Sequence, residues 1–373
     1  GGVVALATEA PADTPAADRP GRLIGIDLAR ALAMVGMVIA HFVEADPDGG
    51  FGSSVKLFTN GRAMPLFVLL GGVGVEFLTR RSPAPGVALA TRAALLLPAG
   101  LVLQEYSLAI AVILQYYGVF FLLAIVLRRL PTSGLLVSAV AVMIVGGITA
   151  QTLAPDLPTT DGWVGIDELG ALGSNLLLNG YYPVLPTLAF FLVGMWVARL
   201  PLGEVRTAVG LLGAGVVLAL IGYPGARWWV GRIDAEPWAE DGTFEPSRLL
   251  DAAGHSDMPA WVLGATGTSL AAVGLCLLVA RVGPRLLHPA IVFGQMALTF
   301  YVFHVLLHDR WWPREETDIV QEYWYSAAII AGFTVVALVW RRYVGRGPLE
   351  WVLRVGDVAQ RRLADERSAS SAG

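Results

Sequence analysis

Cysteine is almost absent. Cys276 is the one example in 373 residues, and it lies inside an apolar run. That excludes a disulfide framework and a cysteine-ligated metal. Lysine is as scarce, with Lys56 alone among 26 basic residues, and histidine occurs five times. There is no His-Glu-x-x-His, no Gly-x-Ser-x-Gly and no P-loop, so a zincin, a serine-elbow hydrolase and a nucleotide phosphate cradle each lack their residues. No metal and no permanently bound cofactor is expected on these grounds. Charged residues make up 15% of the chain, against about a quarter in soluble domains. No internal repeat stands out, which leaves an inverted-repeat transporter without direct support.

What is abundant is apolar sequence: 55% hydrophobic residues and a mean hydropathy of +0.62. A bilayer core asks for about 20 mostly apolar residues per helix. Ten segments qualify, at 23–43, 61–78, 87–104, 108–128, 133–153, 181–199, 205–223, 259–280, 289–307 and 324–341. The expected fold is an all-α, polytopic membrane bundle over 21–345, with a disordered tail at 1–20 and a cytoplasmic tail at 346–373. The loops alternate in charge. Arg80 and Arg81, Arg128 and Arg129, Arg199 and Arg206, and Arg281 and Arg285 mark one side; Glu44, Glu105, Asp156 and the acidic stretch at 234–257 mark the other. By the positive-inside rule both termini are cytoplasmic. The arginine bias suits a GC-rich bacterial genome, so the expected location is a bacterial cytoplasmic membrane.

The first span, "DLARALAMVGMVIAHF", carries three ionisable residues, which are costly inside a membrane. At helical spacing Asp27, Arg30, Met34, Met37 and His41 fall on one face. Arg30 and His41 are then about 16 Å apart along the axis, one toward each membrane surface. In the ninth span Tyr301, His304 and His308 follow the spacing i, i+3, i+7 toward the same outer surface as His41. His255 lies in an outer loop and is expected to be solvated. His288 begins the ninth span on the inner side, as a helix start. Acyl transfer, or proton relay in a transporter, would each use such a stripe.

The spacing Arg30-x10-His41 resembles the Arg-x10-His motif of the acyltransferase-3 family. The string "RLIGIDLARALAMVGMVIAHF" (22–42) is similar to the first span of bacterial proteins related to heparan-alpha-glucosaminide N-acetyltransferase. "GRAMPLFVLLGGVGVEFLTRR" (61–81), "YPVLPTLAFFLVGMWVAR" (182–199) and "GQMALTFYVFHVLL" (294–307) resemble later spans of that group. The resemblance implies a transmembrane acyltransferase that moves an acetyl or other acyl group from acetyl-CoA or another acyl-CoA, as co-substrate, to a glycan on the far side. The lysosomal enzyme is thought to use a histidine in the loop after its first span. The loop from Phe42 to Asn60 here has none, so His41 has to serve.

In that reading His41 is the base, or carries the acyl group briefly as acyl-imidazole, Arg30 stabilises the donor and Asp27 orients Arg30; a neutralising Asp27–Arg30 pair with an interfacial His41 is the other reading. Arg80, Arg81 and Arg92 on the inner side suit coenzyme A phosphates, since guanidinium pairs well with phosphate, or serve topology alone. Arg62, Glu105, Tyr181, Tyr182, Tyr301, His304 and His308, at the outer ends, are the candidate acceptor contacts; interfacial anchoring is the other reading of the tyrosines. Glu76 and Arg80 form an i, i+4 pair, and the glycines of "GGVGV" suit close helix packing. Trp228, Trp229 and Trp238 sit among carboxylates, as sugar-stacking residues or interface anchors. The expected partners are an acyl-CoA, a glycan or glycolipid acceptor and the lipid bilayer, with no nucleic acid and with room for an oligomer. A proton-coupled small-molecule transporter is the alternative.

Overall fold

A computed structural model describes residues 23–44, 50–107, 109–157, 169–232, 244–311 and 317–354. The described residues form helices and connections, with no strand among them. In chain order the α-helices are α1 (Ile24–Phe42), α2 (Phe51–Thr59), α3 (Ala63–Arg81), α4 (Pro85–Tyr106), α5 (Leu114–Leu127), α6 (Thr132–Thr152), α7 (Leu169–Ser174) and α8 (Val184–Ala198). They continue as α9 (Val205–Leu220), α10 (Ala226–Val230), α11 (Pro259–Val282), α12 (His288–Gly294), α13 (Ala297–Trp311), α14 (Ile319–Tyr343) and α15 (Pro348–Val352).

Each of the ten expected spans coincides with a helix or a bent helix pair, but they do not cross in the same way. Among the described residues, seven helical segments are long and apolar enough to span a bilayer, and two pairs bent by 54° and 77° bring the number to nine. The tenth, α5, has 14 residues. At about 1.5 Å per residue it is shorter than a hydrocarbon core of about 30 Å. Its reach is made up by the chain before it. Ser107 and residues 109–113 turn back into the bundle, where Gln104 Oε1 accepts from Val112 N–H at 2.7 Å and Ser107 Oγ donates to Ile110 O at 2.9 Å. Irregular backbone is tolerated at membrane depth only when its polar groups are satisfied in this way.

α1 is the central helix and packs against α3, α11, α12, α13 and α14. Its stripe faces inward: Asp27, Met34 and Met37 are buried, while Arg30 and His41 are half-buried. α3 and α8 cross closely at Gly72 and Gly194; a Cβ on Gly72 would meet the backbone of Phe191 and Met195. Of the GGVGV glycines, Gly72 therefore packs helices, as expected, while Gly71 and Gly74 line the larger cavity described below. The outward faces of α6, α9 and α14 expose Val137 and Val140, Val209 and Val217, and Val335 and Val339, as a surface solvated by lipid would.

One end of the bundle is clasped by arginine. Glu76 receives Arg199 Nε at 3.0 Å and Arg199 Nη2 at 3.3 Å, and Arg80 Nη2 lies at 3.4 Å. Arg199 also donates to the carbonyls of Leu130 and Arg128, tying the ends of α3, α5 and α8 together. The chain beyond 345, expected as a tail, is partly folded. Glu350 on α15 accepts from Thr299 N–H at 3.0 Å and from its hydroxyl at 2.5 Å, which holds α15 against α13. Residues 1–22 and 355–373, Trp238 and the acidic stretch 233–243 lie outside the described residues. Trp228 and Trp229 sit exposed on α10, with Arg232 stacked 3.7 Å over the Trp228 ring.

Candidate functional site

The stripe on α1 reaches two cavities. The larger, about 620 Å³, opens at the arginine end and is lined by Arg30, Arg81, Arg92 and Arg354 together with apolar residues such as Leu70, Leu96 and Phe121. Arg30 Nη1 bonds Asp27 Oδ1 at 2.9 Å, and Gln295 Nε2, at the bend between α12 and α13, donates to Asp27 Oδ2 at 3.3 Å. The buried carboxylate thus holds Arg30 at the cavity wall. Arg92 Nη1 donates to Ala88 O at 3.1 Å. Arg354, not foreseen from sequence, arrives because α15 folds under the bundle. Arg80 does not join the group: its partner is Glu76 and it lines neither cavity.

The smaller cavity, about 230 Å³, lies at the opposite end. Its walls include His41, Asn60, Tyr181, Tyr182, His255 and Tyr301. Behind His41 is His304, fully buried, with its ring stacked at 5.2 Å between centroids. Their hydrogen bonds define the tautomers. Nδ1 of His304 lies 2.5 Å from the carbonyl oxygen of Tyr301, which can only accept, so Nδ1 carries the proton. Neutral His304 then offers Nε2 as an acceptor, 3.0 Å from Nδ1 of His41. His41 must donate there, so in the neutral ring its own Nε2 is unprotonated. The Tyr301 hydroxyl accepts from Ile113 N–H at 2.9 Å and keeps its own proton to donate.

His255 corrects the sequence expectation. It is not a solvated loop residue but part of this cavity, packed between Tyr182 (5.7 Å) and Trp261 (5.6 Å). Burial lowers its pKa to about 4, and its buried Nδ1 meets no hydrogen-bond partner among the described residues. It sits in left-handed backbone at φ 65°, and so does Asp257 at φ 59°. Such outliers cluster at functional sites. Burial also pushes the Asp257 carboxyl well above the usual carboxylate range. The loop is seated by Gly61 at φ 70°, where a Cβ would meet Gly254, and by Trp261 Nε1, which donates to Gly61 O at 3.2 Å.

Other expected contacts stay outside. Arg62 donates to Phe58 O at 2.7 Å and stacks 4.3 Å from the Tyr223 ring. Glu105 is exposed and lines neither cavity. His308 lies 3.7 Å from Asp309 and edge-on to Phe42. Three rings separate the two cavities. Phe67 stacks on Tyr301 at 5.9 Å and meets Tyr117 at 5.8 Å, while the Tyr117 hydroxyl donates to Phe67 O at 2.6 Å.

Comparison with known proteins adds a family to this geometry. The family described as heparan-alpha-glucosaminide N-acetyltransferase, catalytic, matches residues 22–224, more than half of the chain. The chain belongs to this family. Residues 247–359 match a second family, described as a protein of unknown function (DUF418). No curated protein matches the chain. Membership makes this heparan-alpha-glucosaminide N-acetyltransferase relative a multi-pass membrane protein of acetyltransferase type. Both matched segments build the site: Arg30, His41 and Tyr182 come from the first, and His255, Tyr301, His304 and Arg354 from the second.

Proposed function

We propose that the protein moves an acyl group, in the first instance acetyl, from a cytoplasmic acyl-CoA to a hydroxyl or amine of an envelope glycan or glycolipid. The acceptor lies on the far side of a bacterial cytoplasmic membrane, and both chain termini are cytoplasmic. His41 is the general base. One observation carries this reading: the bond chain Tyr301 carbonyl–His304–His41 holds His41 in the tautomer whose Nε2 has a free lone pair beside the smaller cavity. A base oriented by a third group is the recurrent arrangement for activating a nucleophile.

In the proposed step the acceptor proton passes to His41 Nε2 as its oxygen or nitrogen attacks the thioester carbon. The carbonyl oxygen becomes an oxyanion, to which the Tyr301 hydroxyl can donate. The C–S bond then breaks and the proton goes on to the departing thiolate. At the other end Arg30, Arg81, Arg92 and Arg354 hold the anionic part of the donor. Guanidinium forks suit phosphate oxygens, and Asp27 keeps Arg30 in place. The donor arm has to pass Phe67, Tyr117 and Tyr301, so transfer requires these rings to move apart.

The test is purified protein in nanodiscs with acetyl-CoA labelled on the acetyl group. The parent should release or transfer label. His41→Ala, folded by the same size-exclusion and melting criteria, should lose about 10²- to 10⁴-fold, the usual worth of a positioned base. Unchanged turnover in His41→Ala would remove His41 as the base. Proton-coupled uptake with no loss of label from acetyl-CoA would replace the enzyme with a transporter.

A further inference from the structure

The smaller cavity has a chemistry of its own. At about 230 Å³ it has room for a single sugar ring. Its polar lining is Thr59, Asn60, three tyrosines and two histidines, and among the described residues no carboxylate, lysine or arginine lines it. Three charged groups near this end, Lys56, Glu322 and Arg62, are engaged elsewhere. Lys56 donates to Ala40 O, and Glu322 accepts from Glu44 N–H at 2.7 Å and from the Thr317 hydroxyl at 3.0 Å. Arg62 is bonded to the Phe58 carbonyl. Asp257, two residues from His255, does not line the cavity.

From this we infer that the acceptor enters as an uncharged, hydroxyl-bearing ring and that the product is an ester, not an amide. The inference rests on the acyl-transfer reading and sharpens its acceptor. A primary amine is largely protonated at neutral pH. An ammonium brought into this cavity would lose its water and meet no carboxylate on its wall, a cost that attraction to tyrosine faces only partly offsets. A neutral ring instead finds the Tyr182 face and hydrogen-bond partners in Thr59 and Asn60. Its hydroxyl donates to His41 Nε2. The O–H bond breaks toward His41, an O–C bond forms at the thioester carbon, the C–S bond breaks, and the thiolate leaves as thiol with that proton.

Two acceptors that differ at one atom separate the alternatives: an alkyl glucoside and the matching 2-amino-2-deoxy alkyl glucoside, each with labelled acetyl-CoA in nanodiscs at pH 7. Hydroxylamine cleaves the ester and spares the amide. The expected result is a hydroxylamine-labile product on the glucoside, with kcat/KM at least about tenfold above amide formation on the amino sugar. Asn60→Asp, which adds a carboxylate at the cavity without changing its size, should narrow that gap. Amide formation equal to or faster than ester formation overturns the inference. So does His41-dependent release of label with no ester on the glucoside, while leaving the acyl-transfer reading in place. No release of label under any condition removes both.

Discussion

The two ends of this bundle hold polar groups in opposite ways. At the arginine end charge is plentiful and shared: Glu76 takes Arg80 and Arg199, Asp27 takes Arg30, and Arg81, Arg92 and Arg354 line a cavity of about 620 Å³. At the histidine end the cavity is about 230 Å³, and its polar lining is neutral imidazole, phenol and amide. The difference teaches what each end can hold. Guanidinium groups in a wide opening recognise an anion by charge. Rings and single hydrogen-bond groups in a narrow one recognise shape.

After loss of the proposed base itself, the largest expected effect comes from the ring behind His41. His304→Ala should lower kcat about 100-fold with little change in donor KM, because His41 then loses the acceptor that defines its tautomer. His304→Gln, whose side-chain oxygen can accept from His41, should recover part of the loss. An equal loss in both variants would mean that His304 only fills space. Next is the arginine end. Arg81→Gln with Arg354→Gln should raise KM for acetyl-CoA about tenfold and leave a phosphate-free thioester donor unaffected. If both donors weaken together, the cavity is not a phosphate site.

The wall between the cavities is open to a milder test. Phe67→Leu should raise acetyl-CoA hydrolysis without acceptor a few-fold, since water at the histidine end then reaches the thioester more often. The smallest effect concerns His255. Its pKa of about 4 lies below the ordinary value near 6.5, so the unfolded chain binds this proton first. Stability is therefore present above pH 6.5 and falls as pH drops toward 4. His255→Asn should flatten that part of the melting-temperature profile, and an unchanged profile would mean that His255 is solvated after all.

Much of the fold was legible along the chain. Ten helical segments stand where apolar runs predict them, and the shared depth of His41, His304 and His308 follows from alternating loop charge. The shortness of α5 was not legible, because residues 109–113 are apolar enough to continue a span but turn back on Gln104 and Ser107. Arg80 and Arg81 were equivalent in sequence. About 100° of helical rotation sends one to Glu76 and the other to the cavity. His255 was misjudged for want of a partner that sequence cannot supply, the Gly61–Gly254 contact that seats its loop.

The sequence by itself determined that this protein crosses a membrane many times and that Arg30 and His41 share one face of the first helix. Both follow from local properties, apolar length and the helical period. Only the tertiary structure decided that His304 backs His41, that His255 faces the same cavity, and that Arg354 joins Arg30 at the other end. These contacts join distant parts of the chain. They depend on where helices cross and bend, at Gly72, at Gly61 and between Gly294 and Ala297, and a change of one turn in any crossing would pair different side chains.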